Sequence, residues 1–255
     1  MLRFVSRLIA HPLTRGLTVD DPRTTALRRK IIRDKPFLTA IYREWYERIL
    51  AHIPRGGHVL ELGSGAGFFG DMVPEVITSE VFLTPGVALV ADGQRLPFMT
   101  GGLDAIVMTD VFHHIPDVSS FLREAGRCVR PGGHLTMIEP WRTRWSEWVY
   151  SNLHSEPFEP DAGWEIPHAG PLSGANGALP WIVFERDRNR FEREFPEWRL
   201  SKIEPLMPFS YLVSGGVSLR ALAPGWTYPL WRWFESLFRD DRWAMFALIT
   251  VRRQK

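Results

Sequence analysis

The stretch Val59-Leu60-Glu61-Leu62-Gly63-Ser64-Gly65-Ala66-Gly67 constrains this chain of 255 residues more than any other. An apolar β-forming run enters three alternate glycines and then a helical pattern. Glycines there let the backbone turn tightly and lie close to a ligand, and a helix start offers unpaired N–H groups. A nucleotide-like ligand is implied. Gly65-Ala66-Gly67-Phe68-Phe69-Gly70 also satisfies the dinucleotide fingerprint, with Glu80 at about the distance of a ribose-binding acid. A nicotinamide-dependent oxidoreductase is therefore the competing reading of this segment taken alone.

Apolar runs bounded by Gly and Pro predict buried parallel strands at His58–Leu62, Val76–Glu80, Val87–Ala91, Ala105–Thr109 and His134–Glu139. Helical patterns cover Phe68–Val73 and Val118–Cys128, and two more strand candidates lie at Trp198–Glu204 and Met245–Val251. Alternating β and α implies an α/β, Rossmann-like, doubly wound sheet whose ligand crevice lies at the carboxyl ends of the strands. Ahead of it, Ile31, Ile32, Leu38, Ile41, Tyr42, Trp45, Tyr46, Ile49 and Leu50 recur at helical steps, so residues 1–55 read as an N-terminal helical segment. Residues 56–255 then form one domain, with cap-like insertions at about 141–197 and 207–242. Ten of the eleven tryptophans fall between Trp141 and Trp243, so these insertions are aromatic-rich.

Four segments in order resemble the class I S-adenosylmethionine-dependent methyltransferases that act on small molecules. Glu61 to Gly67 resembles that family's acid-x-Gly-x-Gly-x-Gly loop, and Glu80 its ribose-binding acid. Ala91-Asp92-Gly93-Gln94-Arg95-Leu96-Pro97-Phe98 resembles the segment after strand three, where the Asp accepts from the adenine amine. Asp110-Val111-Phe112-His113-His114-Ile115-Pro116-Asp117 resembles the segment after strand four, and Val129-Arg130-Pro131-Gly132-Gly133 the turn into strand five. The resemblance implies seven strands, the last antiparallel, S-adenosylmethionine as cofactor, and methyl transfer to an O, N or C nucleophile. It places Glu61, Gly63, Ser64, Gly65, Gly67, Glu80, Asp92, Gly93 and Asp110 at the cofactor. The sequence departs from the family in a short link from Gly70 to Val76, and in Phe82–Gly86 where a full helix is usual.

His113 and His114 fall beside the expected methyl donor, where an imidazole can take a proton from the acceptor, and are the candidate catalytic pair. Glu139, at the end of strand five, and His154 are candidate substrate contacts. Glu156, Glu159, Asp161 and His168 surround His154 without a recognised ligand spacing; the segment reads as a solvated acidic loop, and no metal is expected. The tryptophans read either as walls of an acceptor pocket or as a second core, the former implying a small apolar or lipid-like acceptor.

Hydrophobic residues at 45% and charged residues at 24% argue against disorder, and a net charge of +2 gives no reason to expect nucleic acid. The charge is uneven: residues 1–35 hold nine Arg or Lys and three acids, an arm able to touch a phosphate, a partner or a membrane surface. Leu2–Ala10 reads as a surface helix, an interfacial helix or a transit segment, and Arg3 and Arg7 interrupt it as a signal peptide. No apolar run is long enough for a membrane span. The lone Cys128 fits a reducing compartment, so a cytoplasmic location is expected. A non-catalytic interaction protein on the same fold is a third reading, disfavoured by the intact glycine loop.

Overall fold

A computed structural model describes residues 20–154, 156–167, 170, 172–238 and 240–254. The apolar segment Leu2–Ala10, the first three arginines and His168 lie outside the described residues. Two helices open the described chain, α1 (Pro22–Asp34) and α2 (Pro36–Leu50). The α/β part follows: β1 (Val59–Leu62), α3 (Phe69–Met72), β2 (Ile77–Glu80), β3 (Leu89–Val90), β4 (Leu103–Thr109), a 3₁₀ turn (Phe112–His114), α4 (Val118–Cys128) and β5 (Val129–Pro140). After β5 come α5 (Arg144–Leu153), α6 (Leu179–Trp181), a π turn (Ile182–Arg186) and α7 (Arg188–Glu194). Then follow β6 (Trp198–Leu206), α8 (Ser210–Ser214), α9 (Tyr228–Glu235), α10 (Asp240–Trp243) and β7 (Phe246–Arg253).

Among the described residues seven strands form one sheet in the order β3-β2-β1-β4-β5-β7-β6. β1 to β5 pair in parallel, while β7 runs antiparallel to both of its neighbours. The central strands are apolar throughout because both faces are covered. In β4, Ile106 and Met108 pack on one side with Phe121 and Leu122 of α4; Ala105 and Val107 pack on the other with Leu38, Ile41 and Trp45 of α2. The short links are real: α3 has four residues, and Phe82–Gly86 forms no helix, so the β2–β3 edge carries little cover.

This topology puts the carboxyl ends of β1, β2 and β4 side by side under the N-terminal helices. Arg29 of α1 donates from Nε to the Gly65 carbonyl at 3.0 Å and from Nη1 to the Pro85 carbonyl at 3.1 Å, tying α1 to the glycine loop. A second tie joins α9 to α2. Glu44 accepts from Arg232 at 2.9 Å and from the Tyr228 hydroxyl, and Glu235 accepts from the Phe209 and Ser210 amides at 2.7 and 2.5 Å. Held this way, α9 turns Leu230 and Trp233 to solvent, and Leu237 in the turn after it is exposed as well.

Candidate active site

A cavity of about 410 Å³ opens at the carboxyl ends of the parallel strands. That volume suits a small-molecule or cofactor site. Its wall takes Glu61, Gly63 and Gly67 from the β1 loop, Glu80 from β2, Asp92 and Gly93 from the β3 loop, and Asp110 and His114 after β4. The β5–β6 connection adds Ile166, Pro167, Leu172 and Gly174, the β6–β7 connection adds Val217, and the N-terminal helices add Thr25, Arg28, Tyr42 and Tyr46. The sequence missed these last four: Tyr42 and Tyr46 read as core positions of an amphipathic helix, and only the positive charge of the arm hinted at Arg28.

The loop has no room for side chains. Gly63 sits at φ +74°, and a Cβ there would lie 2.4 Å from Val111 Cγ2. A Cβ on Gly65 would lie 2.4 Å from Thr25 Cγ2, and one on Gly67 2.2 Å from the Tyr46 hydroxyl. The loop backbone itself is thus the wall a ligand meets. Glu80, at the tip of β2, accepts from the Gly65 amide at 3.2 Å and the Val81 amide at 2.9 Å. Burial raises its pKa above the usual carboxylate range, while the two amides, Arg28 and Arg29 oppose the rise. Asp92 is exposed and accepts from the Gln94 amide at 2.9 Å, keeping its carboxylate at the cavity edge.

Two members of the expected cofactor set do not reach the cavity wall. The Ser64 hydroxyl donates to the Glu61 carbonyl at 3.1 Å and accepts from the Ser79 amide at 3.1 Å, stitching β1 to β2 behind the loop. Gly65 faces Thr25 and Glu80 instead of the cavity. Both shape the loop from behind, Ser64 through its hydroxyl bonds to β1 and β2 and Gly65 through its amide bond to Glu80.

Glu61 is buried, and burial followed by the nearby charge of Glu80 lifts its pKa to about 7, with the Ser64 side chain opposing. The unfolded chain releases this proton near 4.5, so between about pH 4.5 and 7 the folded state holds the extra proton. Stability from this group is full below that window and falls as pH rises through it, by roughly 3 kcal/mol in total. Glu61→Gln is therefore expected to raise the urea midpoint of the ligand-free protein at pH 8 and leave it nearly unchanged at pH 5. An equal effect at both values would show that Glu61 is not held protonated.

The two histidines of the 3₁₀ turn have different surroundings. His113 is 1% exposed and stands off the cavity wall, its Nδ1 2.8 Å from Glu139 Oε2 and its Nε2 3.5 Å from Glu156 Oε2. Burial alone would depress its pKa, but the two carboxylates outweigh that and hold it well above the usual histidine value. His114 lines the cavity, with Nδ1 3.0 Å from the Gly174 carbonyl; burial and the charge of His113 push it down to about 4. It is neutral at pH 7, its Nδ1–H donating to that carbonyl. Asp110 adopts φ +62°, a left-handed conformation that is uncommon outside glycine and tolerated by Asp, and burial raises its pKa.

Glu139, expected as a substrate contact, lines neither cavity. It is fully buried and accepts from the Val111 and Phe112 amides at 2.8 and 2.7 Å besides His113, so it sets the turn that presents His114. His154 lines a separate small cavity of about 20 Å³ with Asp110, Glu156 and Tyr211. Glu156 does not belong to a solvated loop: burial opposes its charge, yet His113, His154 and His114 outweigh this and hold its carboxyl far below the usual range. No tryptophan appears among the described residues lining either cavity, so the second-core reading replaces the acceptor-pocket reading. Trp141, Trp164 and Trp198 are core, whereas Trp226 and Trp233 are exposed.

Residues 60–137, the segment that builds this crevice, match the family model described as "Methyltransferase domain". This segment is thus similar to methyltransferase domains. A protein of Mycolicibacterium smegmatis named "Probable S-adenosylmethionine-dependent methyltransferase" is 30% identical over 115 residues, covering 40% of this chain and 44% of that one. The chain thus matches less than half the length of this curated relative. The chain as a whole shares its fold with solved structures. Geranyl diphosphate C-methyltransferase of Streptomyces coelicolor, in complex with Mg²⁺, geranyl diphosphate and S-adenosyl-L-homocysteine, has a TM-score of 0.53 at 13% identity, covering 99% of this chain and 98% of that one. A methyltransferase structure from Thermotoga maritima has a TM-score of 0.54 at 14% identity, covering 91% and 100%.

Proposed function

We propose that the chain binds S-adenosylmethionine in the 410 Å³ cavity and transfers its methyl group to an O, N or C nucleophile of a small acceptor. The observation that carries this reading is the convergence on one cavity of the glycine loop with acids from three successive strand ends, Glu61, Glu80 and Asp92. The donor set fits the cofactor. A carboxylate at Glu80 can accept from two vicinal hydroxyls, Asp92 can accept from an exocyclic amine, and the glycine loop presents bare backbone to the cavity. When bound, the cofactor supplies a methyl already activated on a sulfonium.

The chain's own part is alignment and exclusion of water. His114, with Nδ1 held by Gly174, presents Nε2 as a hydrogen-bond acceptor for the hydroxyl or amine of the acceptor. Its weak basicity suits it to orienting that group more than to storing a proton. Ile115, Pro116, Ile166, Pro167, Leu172 and Val217 form an apolar wall, which supports a small acceptor with an apolar body.

Calorimetric titration with S-adenosyl-L-homocysteine tests the assignment. Glu80→Ala and Asp92→Ala are each expected to weaken binding about tenfold or more, the loss of one or two charge-assisted hydrogen bonds. S-adenosyl-L-homocysteine should also raise the unfolding midpoint, and NAD and NADP should not, because a ligand that binds only the native state stabilises it by RT ln(1 + L/Kd), with L the free ligand concentration. A shift with a dinucleotide alone, or unchanged affinity in both variants, would sink the reading.

A further inference from the structure

We propose that His113, His114 and Glu156 form a binding site for one divalent transition-metal ion of the Zn²⁺ type, lying between the methyl-transfer cavity and the small cavity beside it. The proposal is independent of the cofactor assignment but takes the place of the direct His114 contact to the acceptor: with the ion bound, His114 Nε2 is a ligand, and the acceptor's oxygen meets the ion instead. One donor atom from each residue lies within 4.8 Å of the other two. Two imidazoles and one carboxylate are a common ligand set for Zn²⁺ and for other borderline divalent ions.

Three features distinguish this cluster from a chance meeting of polar groups. The first is that each imidazole already has its far nitrogen engaged: His113 Nδ1 on Glu139 at 2.8 Å and His114 Nδ1 on the Gly174 carbonyl at 3.0 Å. Metal-bound histidines are held in this way, with the outer N–H on a carboxylate or backbone carbonyl, which fixes the tautomer and leaves Nε2 to ligate. The second is spacing. His113 Nε2 and Glu156 Oε2 stand 3.5 Å apart, long for a charged hydrogen bond at about 2.8 Å but close to the edge of a tetrahedron with metal bonds of 2.0–2.2 Å, about 3.4 Å.

The third is placement. His114 borders the 410 Å³ cavity, and Glu156 borders the 20 Å³ cavity together with Asp110 and His154. Three protein ligands leave a fourth position for water or for an oxygen of the acceptor, and the smaller cavity has room for about one water molecule. The ligands come from the turn after β4 and the segment after α5, so no sequence spacing announces the site.

The test uses untagged full-length protein stripped with a chelator. It is titrated with Zn²⁺ by calorimetry and with Co²⁺ by visible absorption. The expected result is one ion per chain, a raised unfolding midpoint, and the d–d bands of a low-coordinate Co²⁺ site. Glu156→Ala and His114→Ala should each lower affinity at least about a hundredfold, a ligand counting for no less than an outer-shell partner. His154→Ala should keep the stoichiometry of one. Circular dichroism checks that the variants fold; if His114→Ala does not, Glu156→Ala decides alone. Absence of Zn²⁺ binding by the wild-type chain would overturn the proposal, leaving the cluster as an imidazolium between two carboxylates. Binding that survives unchanged in Glu156→Ala would overturn it equally.

Discussion

Replacing Glu139 by Ala is expected to destabilise the fold by about 3–5 kcal/mol, the usual cost of removing one partner from a buried charged pair. Glu139 is fully buried, and its carboxylate satisfies the half-buried Val111 amide and the buried Phe112 amide, as well as the imidazole of His113. Alanine would leave the buried Phe112 amide and His113 imidazole, and the half-buried Val111 amide, without this acceptor, and the penalty for buried groups of this kind far exceeds the net value of the bonds themselves. Glu139→Gln keeps one oxygen and the shape, so it should retain the two amide bonds while losing the charge that holds His113 protonated. Urea unfolding of the three proteins gives the comparison. A loss below about 1 kcal/mol for the alanine variant would mean that the turn after β4 holds its shape without this residue.

The second large effect is expected at the glycine loop. Gly67→Ala would bring a Cβ to 2.2 Å from the Tyr46 hydroxyl. Tyr46 cannot easily yield, since it is 1% exposed and packs edge-on against Phe68 at 5.0 Å and tilted against Phe69 at 5.2 Å. Overpacking at such a site costs about 1–3 kcal/mol, and displacement of the loop would also weaken S-adenosyl-L-homocysteine binding by about tenfold or more. Tyr46→Phe removes only the clashing oxygen; the ring carbon that bore it would stand 3.4 Å from the new methyl group, an ordinary contact. The double variant Tyr46→Phe/Gly67→Ala should therefore recover most of both losses, with a coupling energy of about 1 kcal/mol or more. Additive effects would show that this contact is not what excludes a side chain at position 67.

Much of the scaffold was legible in the sequence. Helix Val118–Cys128 is found with the bounds its periodicity predicts, and β1, β2, β4 and β5 lie on the expected apolar runs. β7 takes the antiparallel place, and β3 shrinks to Leu89–Val90 because it is the edge strand and pairs only with β2. Glu61, Gly63, Gly67, Glu80, Asp92, Gly93, Asp110 and His114 all reach one cavity. Each lies at, or within about five residues after, the carboxyl end of a strand, and parallel strands deliver such residues to the same edge of the sheet.

What the sequence determined by itself was whatever depends on consecutive residues: which segments are strands, where the chain must turn through glycine, and hence where a crevice opens. Tertiary structure decided which of two adjacent histidines meets that crevice, because the 3₁₀ turn sends His113 toward Glu139 and His114 toward Gly174. It turned Glu139 from an expected substrate contact into the support of that turn, and sent the tryptophans to the core and the outer surface. It also brought Glu156, from a segment that reads as a solvated loop, against both imidazoles. Those outcomes rest on contacts between residues tens of positions apart, where burial and charge pairing are set by packing and leave no periodic trace in the chain.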